Sequence, residues 1–227
     1  MYGYGFGYNV GRKLGITPVI PVFSDDFNRG TLGSDWTLTN TGSSNGVTFD
    51  MTGTKARWNC AHTAGTVQKV IDNNIKTTQS FSQNYLVLIA RHEWTNPNPA
   101  NAQFEHGFVW NNTNRIYFGN EGATNQNFIR IKINNVNVFS ELHPQDLDVV
   151  VKIIYDKTND LVSFYEWNGG AWSVLEEDID ISPYTLPASD PMLIFGAGGE
   201  SNTRTGGDTG LLDYVYLLDQ DISTQTP

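Results

Sequence analysis

The chain has 227 residues, 39% of them hydrophobic and 12% aromatic, which suits one folded domain and not a disordered polymer. Its 24 Asp and Glu outweigh 14 Lys and Arg, and the net charge of −10 argues against a duplex nucleic acid held through its phosphates. No apolar stretch approaches the roughly 18 residues of a membrane span, and a lone cysteine, Cys60, excludes an intramolecular disulfide and the paired-cysteine zinc motifs.

Residues 1–21 stand apart. Tyr2, Tyr4, Phe6 and Tyr8 alternate with glycine, and Pro18 and Pro21 resist helix and central strand alike. The segment reads as an extended N-terminal arm, either a frayed terminus or a docking peptide whose four rings lie on one side of an extended chain. It lacks the positive flank and continuous apolar region of a secretory signal.

Residues 22–220 carry the expected domain, and 221–227 a short tail. Short β-branched and aromatic runs at hairpin spacing predict strands over 85–91, 104–110, 115–119, 128–133 and 136–139, with a two-residue turn at Asn134-Asn135. The clearest strand is 147–155, where Leu147, Val149, Val151, Ile153 and Tyr155 share one face while Asp148 and Lys152 share the other. A turn at 156–160 leads to a strand over 161–167, and Asn168-Gly169-Gly170 turns the chain again into 171–175. The glycine-rich run 196–207 reads as a long loop between the last two strands, with Arg204 and Asp208 as hydrogen-bonding groups for a ligand at the rim. It lacks the G-K-[ST] ending of a phosphate loop. With no amphipathic helix to cover a sheet, two sheets must cover each other. The expected fold is all-β, an antiparallel two-sheet jelly-roll sandwich.

Alternation along the strands sorts the candidate ligand groups. Phe104, His106, Phe108 and Trp110 share a face, Arg115 and Tyr117 share another, and Arg130 and Lys132 lie opposite Ile129, Ile131 and Ile133. If Trp110, Tyr117 and Arg130 adjoin, ring planes beside cations suit a sugar or an acidic glycan. The competing placement, which aromatic partitioning favours, sends Phe104, Phe108 and Trp110 into the inter-sheet core. Trp167 and Trp172 flank a turn and suit a cross-strand pair. His62, His92, His106 and His143 are well separated and form no H-E-x-x-H zinc motif.

Two segments go beyond composition: Phe23-Ser-Asp-Asp-Phe-Asn-Arg-Gly-Thr-Leu-Gly-Ser-Asp-Trp36 and Gly210-Leu-Leu-Asp-Tyr-Val-Tyr-Leu-Leu-Asp219. Together they resemble the opening D-x-F and closing D-x-V strands of the concanavalin A-like lectin/glucanase superfamily, and residues 148–174 resemble its central strand and hairpin. The resemblance implies two curved sheets that bind glycan on the concave face or the loops beside it. It also implies, in the glucanase branch, paired carboxylates in an E-x-D-x-E strand. The equivalent stretch, Gln103-Phe-Glu-His-Gly-Phe-Val-Trp110, carries only Glu105. Glu176, Asp178 and Asp180 do alternate, but after the late hairpin, and read as a solvated acidic edge. The resemblance further implies a structural Ca²⁺ held by the carbonyls of Asp26 and Gly53 and the carboxylate of Asp213; otherwise Asp213 caps a turn or pairs locally.

The glycine and aromatic leader looks like those of phage structural proteins, and the β surface is rich in Asn and Thr. The chain is thus expected to be a non-enzymatic virion protein of a bacteriophage: a head fibre, decoration or tail-associated subunit. It would be homo-oligomeric, docked to other virion proteins through its arm, and exposed on the particle surface, or otherwise extracellular, with a lectin-like domain for host-surface glycans. The alternatives are a free carbohydrate-binding module, or a glycan hydrolase or lyase, which requires a carboxylate pair that the strand motif does not supply.

Overall fold

The computed structural model describes residues 19–40, 47–62, 66–68, 73–95, 101–121, 126–144, 148–201 and 206–220. Among these residues there is no helix, and sixteen strands form two antiparallel sheets. The first sheet runs, in spatial order, β14 (Trp172–Asp180), β13 (Leu161–Trp167), β12 (Asp148–Asp156), β7 (Tyr85–Thr95), β16 (Gly206–Leu218), β4 (Ala56–His62) and β3 (Val47–Met51), with β1 (Phe23–Asp25) also on β16. The second runs β11 (Val136–Pro144), β10 (Gln126–Ile133), β9 (Asn114–Glu121), β8 (Asn101–Asn111), β15 (Met192–Ser201), β6 (Asn73–Thr77) and β2 (Trp36–Asn40), with β5 (Thr66–Gln68) also on β15. The expected all-β two-sheet sandwich is what forms.

Turn chemistry sets the hairpins. Asn134 and Asn135 adopt left-handed conformations (φ 51° and 68°), the geometry that matches the twist of β10 and β11. The Asn168 side chain accepts hydrogen bonds from the amides of Gly170 and Ala171, at 3.1 and 2.9 Å, and closes the β13–β14 turn. Trp167 and Trp172 face each other across it with ring centroids 5.4 Å apart.

The opening motif works as a clasp. The Asp25 carboxylate accepts from the Phe27 amide at 2.7 Å, from both terminal nitrogens of Arg29 at 2.7 and 2.5 Å, and from the Trp36 indole at 2.6 Å. Those bonds hold the buried Phe27 at φ 50°, a conformation disfavoured for a ring-bearing residue. Trp36 then packs edge-on against Phe23 of the first sheet and Phe195 of the second.

Between the sheets lies a continuous core that includes Trp58, Leu88, Trp94, Phe104, Phe118 and Phe195. Each large apolar side chain buried there contributes roughly 1.5–3 kcal/mol. A polar seam crosses it: the His92 imidazole meets Asn120 Oδ1 at 2.6 Å, Asn120 donates to Asn127, and His106 lies 4.9 Å from His92 by ring centroids. All four residues are fully buried, and neither His106 ring nitrogen has a hydrogen-bond partner among the described residues. Burial pushes His92 down to about 4 and His106 well below the ordinary histidine range, so both are neutral at pH 7.

Two expectations need correction. Residues 196–201 and 206–207 are strand and not loop, because β15 pairs with β8 from Met192↔Val109 to Glu200↔Asn101. Just beyond the run, Gly210 of β16 answers to packing: a Cβ there would lie 2.6 Å from Phe104 Cδ2. On β12 the predicted apolar face joins the core, while the face shared by Asp148 and Lys152 is exposed at Asp148 but covered further along, with Lys152 only 1% exposed. On the same side Ile154, Val87, Ile89, Leu218 and Val19 form a second apolar cluster, and Val19 leads out of the arm. The arm residues Tyr2, Tyr4, Phe6 and Tyr8 lie outside the described residues, as do Leu147 and Arg204.

Candidate functional site

The outward face of the second sheet is built by alternation on its central strands. On β8, Phe104, His106, Phe108 and Trp110 enter the interior, leaving Glu105, Gly107 and Val109 outward. On β9, Ile116 and Phe118 point in, and Arg115, Tyr117 and Gly119 point out. On β10, Ile129, Ile131 and Ile133 point in, and Phe128, Arg130 and Lys132 point out. Register then brings the outward groups into rows. Gly107, Tyr117 and Arg130 lie side by side, as do Glu105, Gly119 and Phe128, and Arg115 adjoins Lys132.

The rows make a layered surface. Tyr117 is 3% exposed because the Arg115 guanidinium lies over its ring at 4.5 Å, and Phe128 is covered in the same way by Arg130 at 4.2 Å. Tyr117 and Phe128 meet edge-on with centroids 5.9 Å apart. Glu105, 5% exposed, accepts a 2.8 Å hydrogen bond from Arg115 Nη1, and Arg130 Nε donates to Ser140 Oγ at 3.1 Å. Burial pushes the Glu105 carboxyl up, while Arg115, Arg130 and Lys132 pull it back. Lys132 is held below its ordinary value, first by burial and then by repulsion from Arg115. Three cations therefore surround one carboxylate.

Of the sequence-derived ligand groups, Tyr117 and Arg130 come together here. Trp110 does not join them, because its place in the β8 alternation sends it inward, 8% exposed and 5.6 Å from the Tyr155 ring across the sandwich. Asp208 lies in β16 opposite Cys60, with its side chain outside the described residues. Arg115 and Lys132 complete the surface. Which residues share their side was legible in the strands, but that this side is outward, and their stacking and crowding, needed the register and the packing.

The residues implied for calcium converge at one end of the first sheet. Asp26 follows β1, whose Asp25 pairs with Val215; Gly53 sits at φ 90° between β3 and β4; and Asp213 occupies a bulge of β16. The Asp213 carboxylate already accepts from Arg91 Nη1 at 3.1 Å and lies 4.0 Å from Lys55 Nζ, while exposed Asp26 caps the Asn28 amide at 3.1 Å. Of the three implied ligands, the Asp213 carboxylate is thus engaged by cations, while Asp26 and Gly53 would contribute main-chain carbonyls. Glu176, Asp178 and Asp180 lie on edge strand β14, the last two exposed.

No family model and no curated protein matches the sequence. Solved structures do match the fold. One, from work on endo-acting O-glycanases that members of the human gut microbiota express to initiate mucin breakdown, is 14% identical over 89% of this chain and 100% of its own (TM-score 0.61). A β-1,3-glucanase from Mycobacterium marinum is 12% identical over 88% of this chain and 100% of its own (TM-score 0.60). The CBM2 module of an evolved Dit protein from Lactobacillus casei BL23 phage J-1 is 14% identical over 88% of this chain and 96% of its own (TM-score 0.57). These likenesses place the fold as a concanavalin A-like jelly-roll sandwich, one that glycan-acting proteins share.

Proposed function

We propose that the chain is a non-enzymatic structural protein of a bacteriophage particle, a head fibre, decoration or tail-associated subunit, whose sandwich binds host-surface glycan on the outward face of the second sheet. The observation that carries this reading is the chemistry of β8. Glu105 is tied to Arg115, and the next two outward positions are Gly107 and Val109. Glycoside hydrolysis uses two carboxyl groups, about 5 Å apart with retention and roughly 6.5–9.5 Å apart with inversion. Those two β8 positions offer no second carboxyl, so the face supports holding a saccharide without cutting it.

The phage setting draws on the fold shared with the phage Dit module and on the glycine and aromatic leader. Docked through the arm in several copies, weak sites would add through their high local concentration. The test is a glycan array on the full chain, with mass spectrometry for released products and a proteomic search for the chain in purified particles. Glycan retention without product, and the chain present in particles, is the expected result. A released product would overturn the non-enzymatic reading. A monomer that binds glycan but is absent from particles would replace the virion role with a free binding module.

A further inference from the structure

Resting on the reading of this face as a glycan surface, we propose that its ligand is an anionic saccharide whose acidic groups lie against Arg115, Arg130 and Lys132. The guanidiniums of Arg115 and Arg130 are held flat over Tyr117 and Phe128, at 4.5 and 4.2 Å. A planar guanidinium stacked on a ring keeps its N–H edge free of the ring, which suits bidentate capture of a carboxylate, sulfate or phosphate. Arg115 spends one edge nitrogen on Glu105, and its Nε is buried without a hydrogen-bond partner among the described residues.

The charge balance points the same way. Lys132 sits directly across from Arg115 in the β9–β10 register, and Arg130 lies two residues along the same face. Like charges this close repel, and Lys132 records that repulsion together with its partial burial. Glu105 offsets one of the three cations when ionised and none when protonated. The cluster of Arg115, Arg130, Lys132 and Glu105 is therefore positive in either state, on a chain whose net charge is −10. Gly107, Gly119 and Gly196 alternate with these groups, opposite Tyr117, Glu105 and Glu105 respectively, so Glu105, tied to Arg115, is the one side chain in the row between Phe128 and Asn74. A saccharide chain can lie along it, with its acidic groups at the cationic end.

Glu105 then acts as an internal competitor, occupying a guanidinium that the ligand would otherwise take. This makes the substitutions diverge. Titration calorimetry on the full chain would compare a uronate-bearing oligosaccharide, its carboxyl-reduced neutral counterpart and inorganic phosphate. The neutral counterpart should bind at least about tenfold more weakly, Lys132→Ala should weaken the anionic ligand about fivefold, and Glu105→Gln should tighten it severalfold. Lys157→Ala, which removes a distant ion pair with Asp190, should change nothing. Equal affinity for the neutral counterpart would overturn the anionic class while leaving the glycan reading intact. Phosphate binding as tight as the oligosaccharide would reduce the face to a simple anion site. Absence of binding by every saccharide would overturn both readings. Weakening by Glu105→Gln, in a variant that still unfolds cooperatively at the parent temperature, would show that Glu105 supports the ligand site instead of competing with it.

Discussion

The two outward faces of the sandwich use the same contact, a cation on an aromatic ring, in opposite order. On the first sheet the ammonium of Lys152 lies inside, 4.2 Å from the Tyr165 ring and 5.1 Å from that of Trp172, and the half-buried rings form the outer layer with Tyr214 and Tyr216. On the second sheet the rings of Tyr117 and Phe128 are buried and the guanidiniums form the outer layer. Beside the ion pairs of Arg91, Lys55 and Arg57, the first face therefore presents a patch of carbon where the second presents charge, although both are built by the same alternation of strand residues. The inverse layering separates an apolar surface, already begun by Val19, from the surface proposed to bind saccharide.

The strongest way to break this contrast is Phe128→Ala, which removes the floor under Arg130. It should cost about 3–5 kcal/mol in chemical denaturation, the usual range for a fully buried ring, and abolish saccharide binding. Acid should act on both faces together, through the histidine seam between them. As pH falls from about 6.5 toward 4, the unfolded chain takes up protons that buried His92 does not, so stability falls by about 3 kcal/mol from this group alone. Denaturation midpoints at pH 7, 5.5 and 4.5 check this; a flat profile would mean that the seam opens to solvent.

Lys152→Ala tests the other face. Loss of its buried stem should cost about 1–2 kcal/mol and leave saccharide affinity unchanged. The smallest effect is expected from calcium. With Asp213 already serving Arg91 and Lys55, adding Ca²⁺ or a chelator should leave the melting temperature where it was, and a rise with Ca²⁺ would show that the metal displaces Arg91.

The hairpins were legible because their signals are local. Asn134-Asn135 and Asn168-Gly169 need no distant partner to turn, and the strands they join appear where alternation places them. Single strands also revealed which residues share a side, such as Arg115 with Tyr117. They could not reveal which side faces the other sheet. Trp110 and Tyr117 are equally aromatic, and only the packing of β8 over β12 decides that Trp110 is interior. The glycine-rich stretch misled for a related reason: glycine marks turns in isolation, but here neighbouring strands satisfy its backbone. The covering of Lys152 and the stacking of Arg115 and Arg130 are tertiary facts, invisible to any local pattern.

The most direct test is an NMR titration of the full chain with a uronate-bearing oligosaccharide, following the side-chain N–H signals of Arg115 and Arg130 beside the indole signals of Trp167 and Trp172. The layered faces predict saturable shifts at the two arginines, with both indoles unmoved. Shifts confined to the tryptophans would contradict that assignment and move the binding surface to the first sheet.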